Sequence, residues 1–181
     1  ETTIDHCYIH NFCKAGVYIA DSTTPTGSTY NTRITNCEIA YIGMRWTSGT
    51  TNWWGNGVAL GGGGYTTGGG RALIDNCNIH DCTMHAVDHE PGKNSTIQLC
   101  RLVCDSMYTD TGSNSKAPWT VGYLAWSGKS STGNYLHHCF IQSATGWTVV
   151  YNGATTTGNS ATSNHCRYHS GGAGFVASGD A

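Results

Sequence analysis

The sharpest polar cluster in the sequence is Asp88-His89-Glu90, which a Pro-Gly turn follows. We predict a strand here in which Val87 and His89 face inward. Asp88 and Glu90 then face outward on the same side, about 7 Å apart. Two carboxylates at this separation suit hydrolysis of a glycosidic bond with inversion. The pattern predicts Asp88 and Glu90 as a catalytic pair; the alternative interpretation is two surface acids that cap the turn.

Aromatic residues suited to stacking on sugar rings lie on either side of this segment. They occur in two long insertions, residues 44–56 and 105–120. We expect these insertions to wall a groove above the carboxylates. The predicted carbohydrate-binding residues are Trp46, Trp53, Trp54, Tyr108 and Trp119.

Sequence patterns for several other kinds of chemistry are missing. The chain has no Cys-x-x-Cys pair, which argues against a zinc site. Its acidic residues do not cluster as calcium ligands do. The glycine-rich stretch at residues 61–70 has no lysine, which argues against a phosphate-binding loop. We therefore expect no metal and no cofactor.

A short phrase recurs six times and must position these residues. It consists of an aliphatic residue, two polar residues, a cysteine, any residue and another apolar residue, as in Ile34-Thr35-Asn36-Cys37-Glu38-Ile39. Such a repeat predicts a stack of similar units in which the cysteines form an internal ladder. The predicted ladder is Cys7, Cys37, Cys77, Cys100, Cys139 and Cys166.

The redox state of these cysteines is open at this point. They suit a column of small buried apolar side chains. Disulfides between neighbours are the alternative, because strands of one sheet lie at a distance that a disulfide tolerates. Cys82 and Cys104 lie off the ladder at similar offsets and are the candidate disulfide pair.

The spacing within each unit indicates short strands joined by tight bends. The shortest spacing between repeat cysteines is 23 residues, from Cys77 to Cys100, with no helical periodicity. The aliphatic residue and the cysteine both face inward only if a residue between them turns the chain. Asn and His tolerate the left-handed backbone that such a turn requires. The predicted turn residues are Asn36, Asn76, His6, His138 and His165, with Leu99 as an exception.

The phrase I-x-N-C-x-I followed by Gly-Val resembles the right-handed parallel β-helix of the pectate-lyase-like superfamily. The resemblance extends over essentially the whole chain and implies one all-β domain, residues 1–181, with about six coils. Coils two and four would carry the long loops. The superfamily includes polysaccharide lyases, glycoside hydrolases, epimerases, phage tailspikes and non-catalytic surface proteins, so the resemblance implies a fold more than a function.

The composition narrows the classes of partner. Only 11% of the 181 residues are charged and the net charge is -2, which argues against nucleic-acid binding. No apolar run is long enough to span a membrane. Nine cysteines and a polar, weakly charged surface favour an extracellular or cell-surface location. Asn94-Ser95-Thr96 matches the glycosylation pattern. A chain that begins at Glu1 suggests a mature product or an excised fragment.

Neither end of the sequence shows a helix pattern that could cover an open solenoid. We therefore predict that copies of the chain stack head to tail into a filament or surface appendage. In such a stack, like residues would meet across the junction. The predicted inter-subunit residues are His6, His10, His165 and His169. The alternative functions are a carbohydrate-active enzyme or polysaccharide-binding domain acting through Asp88 and Glu90, and a fragment of a phage or cell-surface adhesin.

Overall fold

The computed structural model describes the repeat strands and many of the bends that join them. The described residues are 2–19, 32–43, 55–60, 72–82, 85–89, 94–104, 119–121, 131–143, 149–152, 156–157, 160–168 and 175–178. Within these ranges every regular element is a β-strand, and the strands are numbered here in chain order. The same ranges contain no helix that could cross a membrane. The described part of the chain is all-β, as predicted.

Most of the described strands belong to three parallel sheets of six strands each. The first sheet contains, in spatial order, β1 (Thr2–Asp5), β4 (Thr32–Thr35), β7 (Ala72–Asp75), β10 (Thr96–Gln98), β14 (Tyr135–His137) and β18 (Ser160–Thr162). The second contains β2 (Tyr8–His10), β5 (Glu38–Ile42), β8 (Asn78–Cys82), β11 (Arg101–Cys104), β15 (Phe140–Ser143) and β19 (His165–Tyr168). The third contains β3 (Ala15–Ile19), β6 (Asn56–Leu60), β9 (Val87–His89), β12 (Trp119–Val121), β16 (Val149–Asn152) and β20 (Phe175–Ser178).

The spatial order of strands in each sheet is also their order along the chain. The chain therefore visits the first, second and third sheets in turn and then returns to the first. Parallel strands need a crossover between neighbours, and the strands of the other two sheets provide it. A further short parallel pair joins β13 (Ser131–Thr132) to β17 (Thr156–Thr157). The arrangement is consistent with a β-solenoid.

Aliphatic side chains at the repeated positions build the core between the sheets. In the first sheet the aligned residues Ile34, Ile74, Ile97 and Leu136 have no exposed surface. The second sheet buries an equivalent set, namely Ile39, Ile79, Leu102 and Ile141. Full burial of each such side chain contributes roughly 1.5–3 kcal/mol. The aliphatic positions of the repeat are the principal source of stability in this part of the chain.

Each first-sheet strand is followed by one residue with a left-handed backbone. The repeat cysteine, or Asn164 in the sixth repeat, comes next and precedes the second-sheet strand. The left-handed conformation turns the chain, so that both the aliphatic residue and the cysteine point inward. The positive φ values belong to His6 (52°), Asn36 (54°), Asn76 (50°), Leu99 (54°), His138 (52°) and Ser163 (54°). The turn predicted at Asn36, Asn76, His6 and His138 is confirmed. Leu99 adopts the same backbone although leucine does so at a cost.

The sixth repeat has a different register from the one predicted. Strand β19 pairs with β15 so that His165 lies beside Phe140 and Cys166 beside Ile141. The prediction that Cys166 continues the cysteine ladder, with His165 as the turn residue, is therefore wrong. Ser163 makes the turn, and Asn164 directly precedes His165 as Cys139 precedes Phe140.

Asn164 replaces the cysteine because its amide makes the same kinds of bond. Its Oδ1 accepts a hydrogen bond from the Cys139 backbone N–H at 2.9 Å, and its Nδ2 donates to the Leu136 carbonyl at 3.1 Å. In the preceding repeat, the Cys139 sulfur contacts the Ile97 carbonyl in the equivalent way. The amide thus supplies the donor and acceptor that the thiol supplies elsewhere.

Candidate functional site

The outward side chains of the second sheet bring together acidic, aromatic and imidazole groups. Ile39 and Ile79 are buried in the core, so the residues on either side of them face outward. Strand pairing sets Tyr8 beside Glu38 and Glu38 beside Asn78. The outward residues, together with those at the following bend, are called the Glu38 face here. It comprises Tyr8, His10, Glu38, Tyr41, Asn78, His80, Asp81 and Arg101.

His80 lies between two carboxylates at the centre of the Glu38 face. Its Nε2 is 3.0 Å from Glu38 Oε1 and its Nδ1 is 2.7 Å from Asp81 Oδ2. The side chain of His80 is 15% exposed, whereas Glu38 and Asp81 are 49% and 37% exposed. The imidazole holds both acids in place while they remain open to solvent.

Two exposed tyrosines border this cluster. The Tyr8 ring stacks on His10 with centroids 4.3 Å apart, and the Tyr41 ring meets His80 edge-on at 6.1 Å. Tyr8 is 53% exposed and Tyr41 is 42% exposed. Partial desolvation, and then the charge of Glu38, raise the pKa of the Tyr8 phenol above its ordinary value. The face therefore offers aromatic surfaces beside fixed hydrogen-bond acceptors.

The backbone at the C-terminal end of the second-sheet strands is strained at one of these tyrosines. Asn11, Tyr41 and Asp81 have φ values of 63°, 56° and 50°. Asn and Asp tolerate this left-handed backbone, but a tyrosine adopts it at a cost of about 1–2 kcal/mol. Strain at an exposed aromatic residue indicates a functional constraint on that residue.

Arg101 extends the Glu38 face by one strand. It lies beside Asn78, and its Nη1 donates a hydrogen bond to Asn78 Oδ1 at 2.9 Å. A guanidinium fixed in this way presents its remaining N–H groups to solvent as donors. The face thus combines fixed acceptors and fixed donors with two aromatic rings.

Asp88 lies in β9, as predicted, between Ala59 of β6 and Thr120 of β12. Its side chain is 8% exposed, and its Oδ2 accepts a hydrogen bond from Asn56 Nδ2 at 2.9 Å. The carboxylate is therefore buried, whereas the sequence predicted an open surface position. Glu90 lies outside the described residues, so the catalytic pair stays a prediction.

Most of the predicted carbohydrate-binding aromatic residues fall outside the described ranges. These residues are Trp46, Trp53, Trp54 and Tyr108. Trp119 lies in β12, where its backbone pairs with that of the core residue Val87.

Six of the cysteines in the described ranges are free thiols, namely Cys7, Cys13, Cys37, Cys77, Cys100 and Cys139. Cys37, Cys77, Cys100 and Cys139 are buried, and their sulfurs contact backbone carbonyls. Cys82 is also buried, with its sulfur 3.4 Å from the His80 carbonyl. The disulfide between Cys82 and Cys104 stays a prediction. No group of three or more potential ligands that could hold a metal ion occurs within these ranges.

Two of the predicted inter-subunit histidines, His6 and His165, do not occupy equivalent positions of the repeat. His6 contacts Asp5 Oδ2 through Nδ1 at 2.8 Å, in the turn of the first repeat. His165 stacks on the Phe140 ring at 5.5 Å, outside the turn. His10 stacks on Tyr8, and His169 lies outside the described residues. His165 and His6 therefore occupy different positions of the repeat, and their meeting across a junction stays a prediction.

Sequence reasoning missed the Glu38 face although a signal was present. His10 and His80 both lie three residues after a repeat cysteine, and Glu38 lies one residue after another. Both offsets are outward positions of the second sheet. The partners Glu38 and His80 are 42 residues apart in the chain, and only the register of β5 and β8 brings them together.

No protein-family model, no curated protein and no solved structure matches this chain. The resemblance of the repeat to the pectate-lyase-like superfamily therefore stays a prediction, and the parallel sheets are compatible with a parallel β-helix.

Proposed function

We propose that the chain is a polysaccharide-binding β-solenoid and that the Glu38 face holds the glycan. The observation that supports this most is the His80 imidazole fixed between Glu38 and Asp81, beside the exposed Tyr8 and Tyr41 rings. Aromatic rings pack on the apolar faces of sugars, and carboxylates accept hydrogen bonds from sugar hydroxyls. Because these groups are held before a ligand arrives, little conformational entropy is lost on binding.

The same geometry favours binding over hydrolysis at this face. Each of the two acidic side chains already contacts His80, so neither can act on a bound sugar without giving up that contact. A glycosidase instead needs one carboxylic acid that can donate a proton to the leaving oxygen. The two acids also favour an uncharged glycan, because a polyuronate would bring further carboxylates beside them.

The finer features of the fold belong to the same proposal. We take the solenoid to be a right-handed β-helix of about six coils, related to the pectate-lyase-like superfamily. Right-handed crossovers are the rule for parallel strands. The buried thiols of Cys37, Cys77, Cys100 and Cys139 support an internal cysteine ladder of those four rungs. An extracellular or cell-surface location suits both a glycan ligand and the weakly charged composition.

Titration calorimetry with neutral and acidic oligosaccharides tests the proposal. We expect at least one of cellohexaose, xylohexaose and mannohexaose to bind, and hexagalacturonate to bind more weakly. Tyr41→Ala should lower the affinity about tenfold, or ~1.4 kcal/mol. Tyr135→Ala is the matched control, because Tyr135 is an exposed tyrosine on the first sheet. Absence of binding to every probe, or equal loss in both variants, would refute the proposal.

A second candidate is a polysaccharide hydrolase or lyase acting through Asp88. The observation that favours it is the buried carboxylate oriented by Asn56, a setting in which acid–base groups operate. Asp88→Asn and Glu90→Gln should then abolish release of sugar from a polysaccharide substrate. Full activity in both variants would exclude this site.

A further inference from the structure

Among the described residues, strands β1, β2 and β3 form an open edge of the three sheets. Each is the first strand of its sheet and, within the described ranges, has a neighbouring strand on one side only. Ile4, Ile9 and Ile19 of this edge are only partly buried against the core. None of the three strands contains the lysine or proline that often protects an edge from pairing. The edge is therefore suited to receive further parallel strands.

The sulfur contacts show what the edge lacks. Each buried repeat cysteine approaches a carbonyl of its own turn and a second carbonyl from the preceding repeat. The second acceptors, for Cys37, Cys77, Cys100 and Cys139 respectively, are Ile4, Ile34, Ile74 and Ile97. Cys7 is exposed, and its sulfur contacts only the carbonyl of Asp5, at 3.3 Å, among the described residues. Among the described residues, the Cys7 thiol therefore lacks the carbonyl acceptor that a preceding repeat supplies to the other repeat cysteines.

Backbone hydrogen bonds between repeats follow the same pattern. The residue after each repeat cysteine donates its N–H to the carbonyl of the preceding one, as Glu38 does to Cys7 at 3.0 Å. At the last such step, His165 donates to the Cys139 carbonyl at 2.8 Å. Tyr8 holds the equivalent donor position at the open edge. The Asn164 carbonyl holds the equivalent acceptor position at the opposite edge.

The turn residues supply a second complementary pair. Each donates its N–H to a strand carbonyl of the following repeat, as His6 does to Thr35 at 3.1 Å and His138 does to Thr162 at 3.4 Å. Ser163 is the last described turn residue, so its N–H faces the side on which a following repeat would lie. Asp5 holds the equivalent acceptor position at the open edge. The two edges of the chain therefore carry matching donors and acceptors.

We propose that the β1–β2–β3 edge binds the β18–β19–β20 edge of a second copy of this chain. Tyr8 N–H then donates to the Asn164 carbonyl of the second copy, whose Ser163 N–H donates to the Asp5 carbonyl. The three sheets continue in parallel across the junction, so each added copy presents the same open edge again. Such a head-to-tail contact does not close on itself and produces a fibre.

This contact differs from the one that the repeat pattern suggested. Cys7 meets Asn164 of the second copy, and His6 meets its Ser163, so like side chains do not face each other. The match lies in the backbone and in the thiol and amide groups that substitute for each other within the chain. The second copy is favoured as the occupant because the chain itself carries the complementary edge in the required parallel orientation.

Sedimentation velocity over a wide range of protein concentration tests this proposal. The wild-type chain should shift from monomer to longer species as concentration rises. Ile9→Lys, which places a charge in the junction, should remain monomeric. The control Thr3→Lys changes an exposed, outward residue of the same edge and should assemble like the wild type. Circular dichroism checks that both variants keep their strands.

Alkylation of Cys7 provides a readout that does not depend on a variant. Because the thiol is buried by the junction, its rate of alkylation in the wild-type chain should fall as the chain assembles. A chain that stays monomeric at every concentration, or Cys7 alkylation that is independent of concentration, would overturn the proposal. Equal assembly of Ile9→Lys and Thr3→Lys would place the contact elsewhere and would overturn it as well.

Discussion

At the scale of single residues, the turn of the first repeat is held by an acid with three side-chain partners. Asp5 Oδ1 accepts hydrogen bonds from Thr35 Oγ1 at 2.6 Å and from Asn36 Nδ2 at 2.9 Å, and His6 contacts Oδ2 at 2.8 Å. Asn76 Nδ2 continues the series by donating to Asn36 Oδ1. The bond from Thr35, followed by those from Asn36 and His6, holds the pKa of Asp5 well below its ordinary value.

This lowered pKa predicts how the turn responds to acid. A carboxyl group with a depressed folded-state pKa stabilises the fold above its unfolded pKa, about 3.9, and loses that contribution as pH falls toward the folded value. Asp5→Asn should therefore lower the melting temperature at pH 7. The difference from wild type should shrink below about pH 4. Thermal melts across pH measure both effects, and a difference independent of pH would contradict this role.

Thr35→Val tests whether the Thr35 hydroxyl lowers the pKa of Asp5. It removes the hydroxyl that makes the largest contribution to the shift and keeps the shape of the side chain. The variant should show part of the pH-dependent loss seen for Asp5→Asn. If Thr35→Val matches the wild type at every pH, the hydroxyl does not stabilise the ionised acid.

At the scale of the strand, Gly57 permits close approach of the second and third sheets. A Cβ at this position would lie 2.7 Å from the Ala86 carbonyl oxygen and 3.1 Å from Cys82 Sγ, and would also meet Ile79 Cγ2. We expect Gly57→Ala to lower the free energy of unfolding by about 1–3 kcal/mol, because the core would have to shift to accept the methyl group. Urea denaturation measures the change.

Ala86→Gly is the matched variant for this prediction. Ala86 precedes Val87 as Gly57 precedes Val58, and these valines pair across the strands. Its methyl group is accommodated, so its removal should cost only about 0.5–1 kcal/mol through the entropy of glycine. A Gly57→Ala chain as stable as the wild type would show that Ile79 moves aside easily.

The strands, and the turns between the first and second sheets, could be predicted because the same residue pattern recurs several times in the sequence. Asn36 and Asn76 recur before their cysteines, and the aliphatic residues recur before them. The sixth repeat was misaligned because Cys166 matches the phrase by residue type. Asn164, two residues earlier, makes the bonds of the cysteine instead. Hydrogen-bonding capacity, which residue type alone does not display, decides the register there.

The Glu38 face could not be predicted to the same degree. Its outward positions follow from the repeat, but the contact between Glu38 and His80 depends on the pairing of two strands across a long insertion. The strained backbone of Tyr41 could not be predicted either. The equivalent left-handed positions near the ends of the second-sheet strands hold three different residue types, Asn11, Tyr41 and Asp81. The Asp88 strand was predicted, yet the burial of its carboxylate was not.

At the scale of the whole molecule, stacked repeats replace cross-links as the source of stability in the described part of the chain. The aliphatic columns run without interruption from the second repeat to the fifth, and the buried repeat cysteines Cys37, Cys77, Cys100 and Cys139 pack among them as free thiols. Burial raises the pKa of the Cys37 thiol. Contacts with the thiols of Cys139 and Cys77, together with burial, raise the pKa of the Cys100 thiol. These thiols are therefore protected from both solvent and ionisation.

Thiol labelling of the native chain tests this account. A thiol-directed reagent must reach the sulfur, so cysteines that are buried in the folded chain should be inert. Cys7 and Cys13 are exposed and should react quickly with a maleimide in dilute, unassembled protein, whereas Cys37, Cys77, Cys82, Cys100 and Cys139 should react only after denaturation. Mass spectrometry of the labelled peptides assigns each site. Denatured, unreduced protein should release all seven of these thiols, and a reducing agent should leave the melting temperature unchanged. A melting temperature that falls on reduction would mean that a disulfide supports the fold, against the packing described for these repeats.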